Sequence, residues 1–302
     1  MKQSSSALAV KSFAKINLYL KILSKRKDNF HNLSTLFCRI DLADTVTLKN
    51  RKDGLIRIKC ASPHVPCDET NLCWRAAELL RQEFGLDFGL DIELKKRIPV
   101  GAGLGGGSSN AASVLLGLNK YWDLNLSREK LVNLGAKLGS DVPFFIYNTK
   151  LALGSGRGDK IRPLPSLDKL KLWFILIYPN IKVSTPLIYQ KFDTCLPAGK
   201  AFSELTRPHC NVNILTSELS KRGKEVDSDC LFNDLEIVTS SLYPVVNQVK
   251  NTLYGMGLEK IIMSGSGSAV FAICNDLQQA RDLRSKLVKK HKSWAVFVSS
   301  TI

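Results

Sequence analysis

Five of the seven residues at positions 101–107 are glycine, within the run Pro99-Val100-Gly101-Ala102-Gly103-Leu104-Gly105-Gly106-Gly107-Ser108-Ser109. Without a Cβ such a segment reaches positive φ and lets a ligand approach the backbone closely. The Ala- and Leu-rich residues 108–122 that follow predict a helix beginning at the serines. A helix start offers N–H groups at the positive end of its dipole, so loop and helix together read as a phosphate site. The plainer reading is a turn with Ser108 as N-cap, but a turn needs one or two glycines and not five. A P-loop does not fit, because Ser108 stands where its lysine belongs. Gly101-x-Gly103-x-x-Gly106 satisfies the dinucleotide fingerprint. The preceding strand, however, alternates apolar and polar residues, and no strand ending in an acidic residue follows.

Four further groups could do chemistry. Ala14, Ile16, Leu18, Leu20 and Ile22 fall on even positions, which predicts a half-buried strand over residues 12–23. Its odd face carries Lys15, Asn17 and Tyr19, and Lys15 and Asn17, about 7 Å or two strand rises apart, can reach one ligand. A solvated strand face is the alternative. Asp141, in Ser140-Asp141-Val142-Pro143, is the N-cap of a helix with proline in its first turn, a catalytic carboxylate, or both. Met263-Ser264-Gly265-Ser266-Gly267-Ser268-Ala269 is either a tight turn between strands or a second wall of the phosphate site. Cys60, His64, Cys67 and Cys73 cluster locally, but their spacing matches no usual zinc knuckle, and no metal site is expected.

Strands and helices must alternate to place these groups. Residues 33–48 read as a second strand, 71–84 as a helix with Leu72, Ala76, Leu79 and Leu80 on one face, and 90–98 as a strand with Ile92 and Leu94 inward. Ser127 caps a helix packing Leu131, Leu134 and Leu138 that stops near Gly139. Residues 161–178 supply strand material, 231–251 read as helical, and 260–263 and 270–274 as strands.

With 302 residues, 44% hydrophobic and 23% charged, the chain has the composition of a packed globular protein of one large or two medium domains. Its longest apolar run, residues 172–178, is far short of the roughly 20 needed for a membrane span. The first ten residues resemble neither a secretory signal nor a transit peptide, so a cytoplasmic location is expected. The eight cysteines form no CxxC pair and read as reduced, mostly buried thiols. A net charge of +16 favours anionic partners without choosing among nucleotides, nucleic acid and acidic metabolites.

Three segments in order, Ala14-Lys15-Ile16-Asn17-Leu18, the glycine run from Pro99 to Ser109, and Ser264-Gly265-Ser266-Gly267, resemble the signature segments of the GHMP small-molecule kinases. Asp28-Asn29-Phe30-His31-Asn32-Leu33-Ser34-Thr35-Leu36-Phe37 and Leu138-Gly139-Ser140-Asp141-Val142-Pro143-Phe144-Phe145 narrow the resemblance to the branch acting on a cytidylyl-methylerythritol. The resemblance implies an α+β protein with the two-domain GHMP kinase fold. Residues 1–164 would form a domain like domain 2 of ribosomal protein S5, holding the glycine loop, and residues 165–302 a ferredoxin-like α+β domain. It implies transfer of the γ-phosphoryl of ATP, with Mg²⁺, to the 2-hydroxyl of the cytidylyl-methylerythritol, in the non-mevalonate isoprenoid route.

On that resemblance Asp141 is the base for the hydroxyl, and Lys15 the cation that holds it and offsets developing charge. Asn17 would hydrogen-bond the substrate. Phe30 and Tyr189 would sandwich the cytosine while His31 reads its edge, with Phe37 and Thr185 completing the pocket. Asn71 and Lys96 fall where the family contacts adenosine, and residues 99–109 where it holds the phosphates. The implied partners are ATP and this small molecule, with neither nucleic acid nor membrane, in a monomer or weak homodimer. Where the family usually has Gly-Tyr-His this chain has Asn29-Phe30-His31, which keeps the stacking face and lacks the phenolic hydroxyl. Two rivals remain: a nucleic-acid module, for which five loop glycines are superfluous, and a GHMP kinase of mevalonate-like or homoserine substrates, which gives no reason for the aromatic-histidine pair.

Overall fold

The computed structural model describes residues 7–195 and 210–302. Its elements run β1 (Leu8–Lys25), β2 (His31–Arg51), β3 (Ile56–Cys60), α1 (Leu72–Phe84), β4 (Gly89–Lys95), α2 (Gly106–Tyr121), α3 (Arg128–Leu138), α4 (Val142–Tyr147), β5 (Leu151–Ser155) and β6 (Lys160–Pro163). They continue with β7 (Trp173–Tyr178), α5 (Thr185–Thr194), α6 (Val212–Arg222), β8 (Phe232–Asn233), α7 (Leu235–Leu242), α8 (Val245–Tyr254), β9 (Ile261–Met263), β10 (Val270–Cys274), α9 (Leu277–Lys290) and β11 (Ala295–Ser300). Two compact units result. One gathers the chain up to Ala14, Leu42–Val100 and Gly105–Asn148; the other gathers Lys15–Asp41, Gly101–Leu104 and Thr149–Ile302.

In the first unit β4 lies between β3, which it pairs in parallel (Ile56↔Leu90 to Cys60↔Leu94), and the far half of β2, antiparallel (Thr45↔Lys95 to Arg51↔Gly89). The alternation read from sequence puts Leu90, Ile92 and Leu94 in the core. Helices α1 to α4 add Ala76, Leu80, Val114, Leu118, Leu131, Leu134 and Ile146 to the buried set. Local signals fix their ends: Asn71 and Ser127 cap α1 and α3 through their side chains, and Gly85, in the left-handed region at φ 58°, closes α1.

The second unit holds the antiparallel sheet β11-β7-β10-β9. Ile175, Ile177, Val270 and Ala272 from this sheet share a core with Ile188 and Phe192 of α5, Val246 and Val249 of α8, and Leu283 and Leu287 of α9. The near half of β2 pairs with β5, β5 with β6, and Tyr19 and Leu20 of β1 pair in parallel with Phe232 and Asn233.

Four expectations are corrected. The β1 strand is not half-buried: Lys15, Asn17 and Tyr19 on its odd face are buried along with the apolar even face. Tyr19 packs its ring 5.6 Å from Phe232, and burial, reinforced by Asp234, pushes its phenol up to about 12. Residues 231–251 are not one helix, because β8 precedes α7 and Pro244, which cannot continue a helical ladder, separates α7 from α8. Within 161–178, β6 ends at Pro163 and a short 3₁₀ turn at Pro165–Leu167 precedes β7. Cys210 and Cys230 are joined by a disulfide and are not free thiols; both are buried, and a separation of 20 residues carries no recognisable spacing signal.

Candidate nucleotide and acceptor site

In the first unit Gly105 caps α2 from the left-handed region (φ 67°), and the Ser109 N–H makes an early helical bond to the Gly105 carbonyl at 2.8 Å. The helix therefore begins two residues before the serines, because a left-handed glycine ends the loop without a side-chain cap. Ser109 is buried and its hydroxyl accepts from Ser12 at 2.7 Å, while Ser108 stays half-buried and Gly107 exposed. A Cβ at Gly139 would lie 3.9 Å from Ser108 Oγ, so the turn leading to Asp141 runs beside the first turn of α2. Asp141 occupies the N-cap position of α4, half-buried, and its side chain makes no capping hydrogen bond. Of the two readings open for this carboxylate, capping lacks its bond.

Asn71 and Lys96 are both committed to the protein. Asn71 accepts from the Cys73 N–H at 2.8 Å and donates to the Pro66 carbonyl at 2.6 Å. Lys96 donates to the fully buried Asp44 and, at 3.0 Å, to Asn110.

The second unit brings Lys15, Asn17, residues 101–104 and the later glycine segment together. Lys15 is 4% exposed. Its ammonium donates to Asn17 Oδ1 at 2.6 Å and stands 5.5 Å from the centre of the Phe37 ring, while its backbone N–H donates to the Leu104 carbonyl at 3.1 Å. Asn17 donates onward to Thr35 Oγ1 at 2.8 Å. Gly103, at φ 76°, lies so close to the Ser264 carbonyl that a Cβ would overlap it. Ser264 donates to the Gly103 carbonyl, and the Ala269 N–H to that of Ala102. A Cβ at Gly265 would stand 3.3 Å from the Lys15 ammonium. The segment after β9 is thus both the turn of a hairpin and a wall against the first half of the loop and Lys15.

The other candidates for the acceptor pocket belong to the same unit as Phe37. Phe30 is half exposed, with the Arg157 guanidinium 4.9 Å from its ring centre. His31 is buried, stacks on Tyr189 at 5.0 Å, and hydrogen-bonds Asp193 through Nε2 at 2.7 Å. Tyr189 and Asp193, one turn apart on α5, hold the ring by face and by edge. A carboxylate only accepts, so Nε2 carries the proton. Burial pushes the Asp193 carboxyl up, but hydrogen bonds from Lys25 and His31 outweigh it and hold it below its ordinary range. Thr185, the first residue of α5, shares a 2.7 Å hydrogen bond with Ser266 and is exposed. Pro99 and Val100 lead from β4 into the loop.

Sequence reasoning missed Asp44, Asn110, Asp193 and Asn233. The buried Asn233 side chain donates to the Met263 and Gly265 carbonyls, both at 2.8 Å. An acidic residue in an apolar strand flagged Asp44 weakly, whereas Asp193 and Asn233 depend on contacts distant in sequence. Among the described residues no three His, Cys, Asp or Glu side chains gather to hold a metal ion, and no helix is long and apolar enough to cross a membrane.

Residues 71–149 match the GHMP kinases N terminal domain and residues 214–293 the GHMP kinases C terminal domain. The chain belongs to the GHMP kinases. Members of this family use ATP, and the two-domain α+β GHMP fold describes this kinase. It is 38% identical over 289 residues to the 4-diphosphocytidyl-2-C-methyl-D-erythritol kinase of Geobacter sp. (strain M21), covering 96% of this chain and 97% of that one. A crystal structure of 4-(cytidine 5'-diphospho)-2C-methyl-D-erythritol kinase is similar with a TM-score of 0.79 at 31% identity, over 98% of this GHMP kinase and 100% of that chain. Homoserine kinase from Cytophaga hutchinsonii shares the fold (TM-score 0.69) at 19% identity, covering 100% of this chain and 96% of that one.

Proposed function

We propose that this kinase transfers the γ-phosphoryl of ATP to the 2-hydroxyl of 4-diphosphocytidyl-2-C-methyl-D-erythritol in the non-mevalonate isoprenoid route. The observation that supports this reading best is the buried imidazole of His31, gripped by Tyr189 and Asp193 beside the exposed Phe30 ring: such a group suits a flat base with a hydrogen-bonding edge, which mevalonate and homoserine lack. The named relatives act in the same direction.

In the proposed mechanism the loop and the first turn of α2 hold the phosphates through backbone N–H groups. Asp141 accepts the proton of the attacking hydroxyl, the part a carboxylate beside the first turn of α2 is suited to play. Lys15, already directed by Asn17, offsets the charge that develops, and being preorganised it does so without reorienting at the moment of reaction. Asn17 holds the acceptor; Phe30, Tyr189, Phe37 and Thr185 shape its base pocket with His31 as reader. Asn71 and Lys96 serve the adenosine side. Mg²⁺ enters as part of the nucleotide complex, a substrate and not a resident ion. We place the enzyme in the cytoplasm as a monomer or weak homodimer, with its domain boundary near residue 164.

Comparing turnover of the cytidylyl acceptor with that of mevalonate and homoserine tests the reading. Preference for the cytidylyl alcohol by several orders of magnitude is expected, and equal or better turnover of a simple alcohol would overturn it.

A further inference from the structure

Asp44 is fully buried in the far half of β2, and among the described residues its carboxylate accepts its hydrogen bonds from the two flanks of the glycine loop. Before the loop, the Arg97 and Ile98 N–H groups donate to its Oδ1 at 2.7 and 2.8 Å, and the Lys96 ammonium to its Oδ2. After the loop, Asn110 of α2 donates to Oδ2 at 3.0 Å, and also to Ser12, whose hydroxyl reaches Ser109. The ammonium stands against the first turn of α2: a Cβ at Gly106 would lie 3.3 Å from Lys96 Nζ.

Stability alone gives little reason for this arrangement. A cation at a helix N-terminus opposes the helix dipole, and a buried ion pair is often no more stabilising than apolar residues of the same volume. What the pair does accomplish is to fix a positive charge, and both ends of the loop, at the place where an anionic ligand would meet α2. We propose that Asp44 is a positioning residue of the nucleotide site: it holds the Lys96 ammonium and the backbone of residues 97–98 so that the glycine loop is set for ATP before ATP arrives. This rests on reading the loop as the ATP site.

The test uses the full chain and the non-hydrolysable analogue AMP-PNP, titrated calorimetrically, alongside KM for the acceptor and thermal melting. Asp44→Asn is expected to weaken AMP-PNP at least about tenfold while the acceptor KM stays within about twofold, the split that marks an effect confined to one substrate. That variant leaves the ammonium buried without its counter-charge and loses Tm. The double variant Asp44→Asn/Lys96→Met removes both charges; it is expected to regain most of the lost Tm while AMP-PNP affinity stays low. If Asp44→Asn does not fold, the double variant is compared with Lys96→Met, which alone removes the ammonium's own contact, and a further loss of AMP-PNP affinity is expected. Recovery of AMP-PNP affinity together with Tm, or unchanged affinity in either variant, would overturn the proposal and leave the pair a structural one. Wild-type protein that fails to bind AMP-PNP would instead overturn the ATP reading, and this inference with it.

Discussion

Lys15 and Asn17 are buried in a hydrogen-bonded series that runs on through Thr35 to the Tyr19 carbonyl, whereas Phe30, next in sequence to the buried His31, is half exposed. The first group has one arrangement available to it, since each member is fixed by the next and all sit where water is excluded. The second combines an imidazole fixed by Tyr189 and Asp193 with a half-exposed ring that meets the Arg157 guanidinium. Preorganised charge lowers the energy of a transition state, while an open aromatic face accepts whatever flat group arrives and leaves selection to hydrogen bonds. Substitutions in the buried group should therefore act on kcat, and those in the aromatic group on the choice of acceptor.

The largest effect expected is at Asp141, whose role joins the chemical side of this contrast. Asp141→Asn should nearly abolish turnover while AMP-PNP still binds; activity within about threefold of wild type would return Asp141 to a purely structural role. Lys15→Ala should lower kcat by about two orders of magnitude or more, the scale of a lost preorganised charge, with Lys21→Ala on the same strand as its control. An equal loss from Lys21→Ala would erase the distinction between the buried group and the rest of the strand. A smaller and differently shaped effect is expected among the aromatics. Phe30→Ala, which leaves the Tyr189 and Asp193 supports of His31 in place, should lower kcat/KM for cytidylyl and uridylyl acceptors together, by about 1–3 kcal/mol of lost stacking, whereas His31→Ala should narrow the ratio between them. An unchanged ratio would leave His31 a packing residue.

The smallest effect concerns pH. The Asp193 carboxyl is held low in the fold by Lys25 and His31, so its contribution to stability is present above the ordinary carboxylate range and is lost as pH falls through its own titration. Asp193→Asn should remove about 1 kcal/mol near neutrality and flatten the decline in Tm below roughly pH 4. A decline as steep as that of the wild type would assign the acid sensitivity to other groups.

Local chemistry was legible in the sequence where a short segment decides its own structure. The glycine loop, the cap Ser127 and the alternation in β4 are of this kind, because positive φ, capping bonds and a two-residue period need no distant partner; the Asn71 cap was equally local and went unread. The burial of Lys15, Asn17 and Tyr19 was not legible: an alternating strand shows which face is apolar, but not whether a second layer covers the polar one. Asp193 and Asn233 were hidden for the same reason. Each acts on a segment remote in sequence, and nothing in the neighbouring residues announces the partner. In 231–251 the helical spacing led the reading past Pro244, a breaker visible in the sequence, while β8 could not be read because it forms only by pairing with the remote β1.

The interleaving of the two units bears on how the chain is made. All segments of the first unit have left the ribosome once residue 148 emerges, so that unit can close while synthesis continues. The second cannot. Its residues 39–41 wait for the last stretch of the chain, where Ser299 and Ser300 donate to Asp41, Thr301 bridges Ile40 and the Ile302 N–H donates to the Arg39 carbonyl. At roughly 5–20 residues per second, residues 39–41 stay without these partners for some tens of seconds after their own synthesis. During that interval the hydrogen-bonding groups of residues 39–41 that these bonds later use are satisfied by water, so this corner of the second unit is among the last parts of the fold to close.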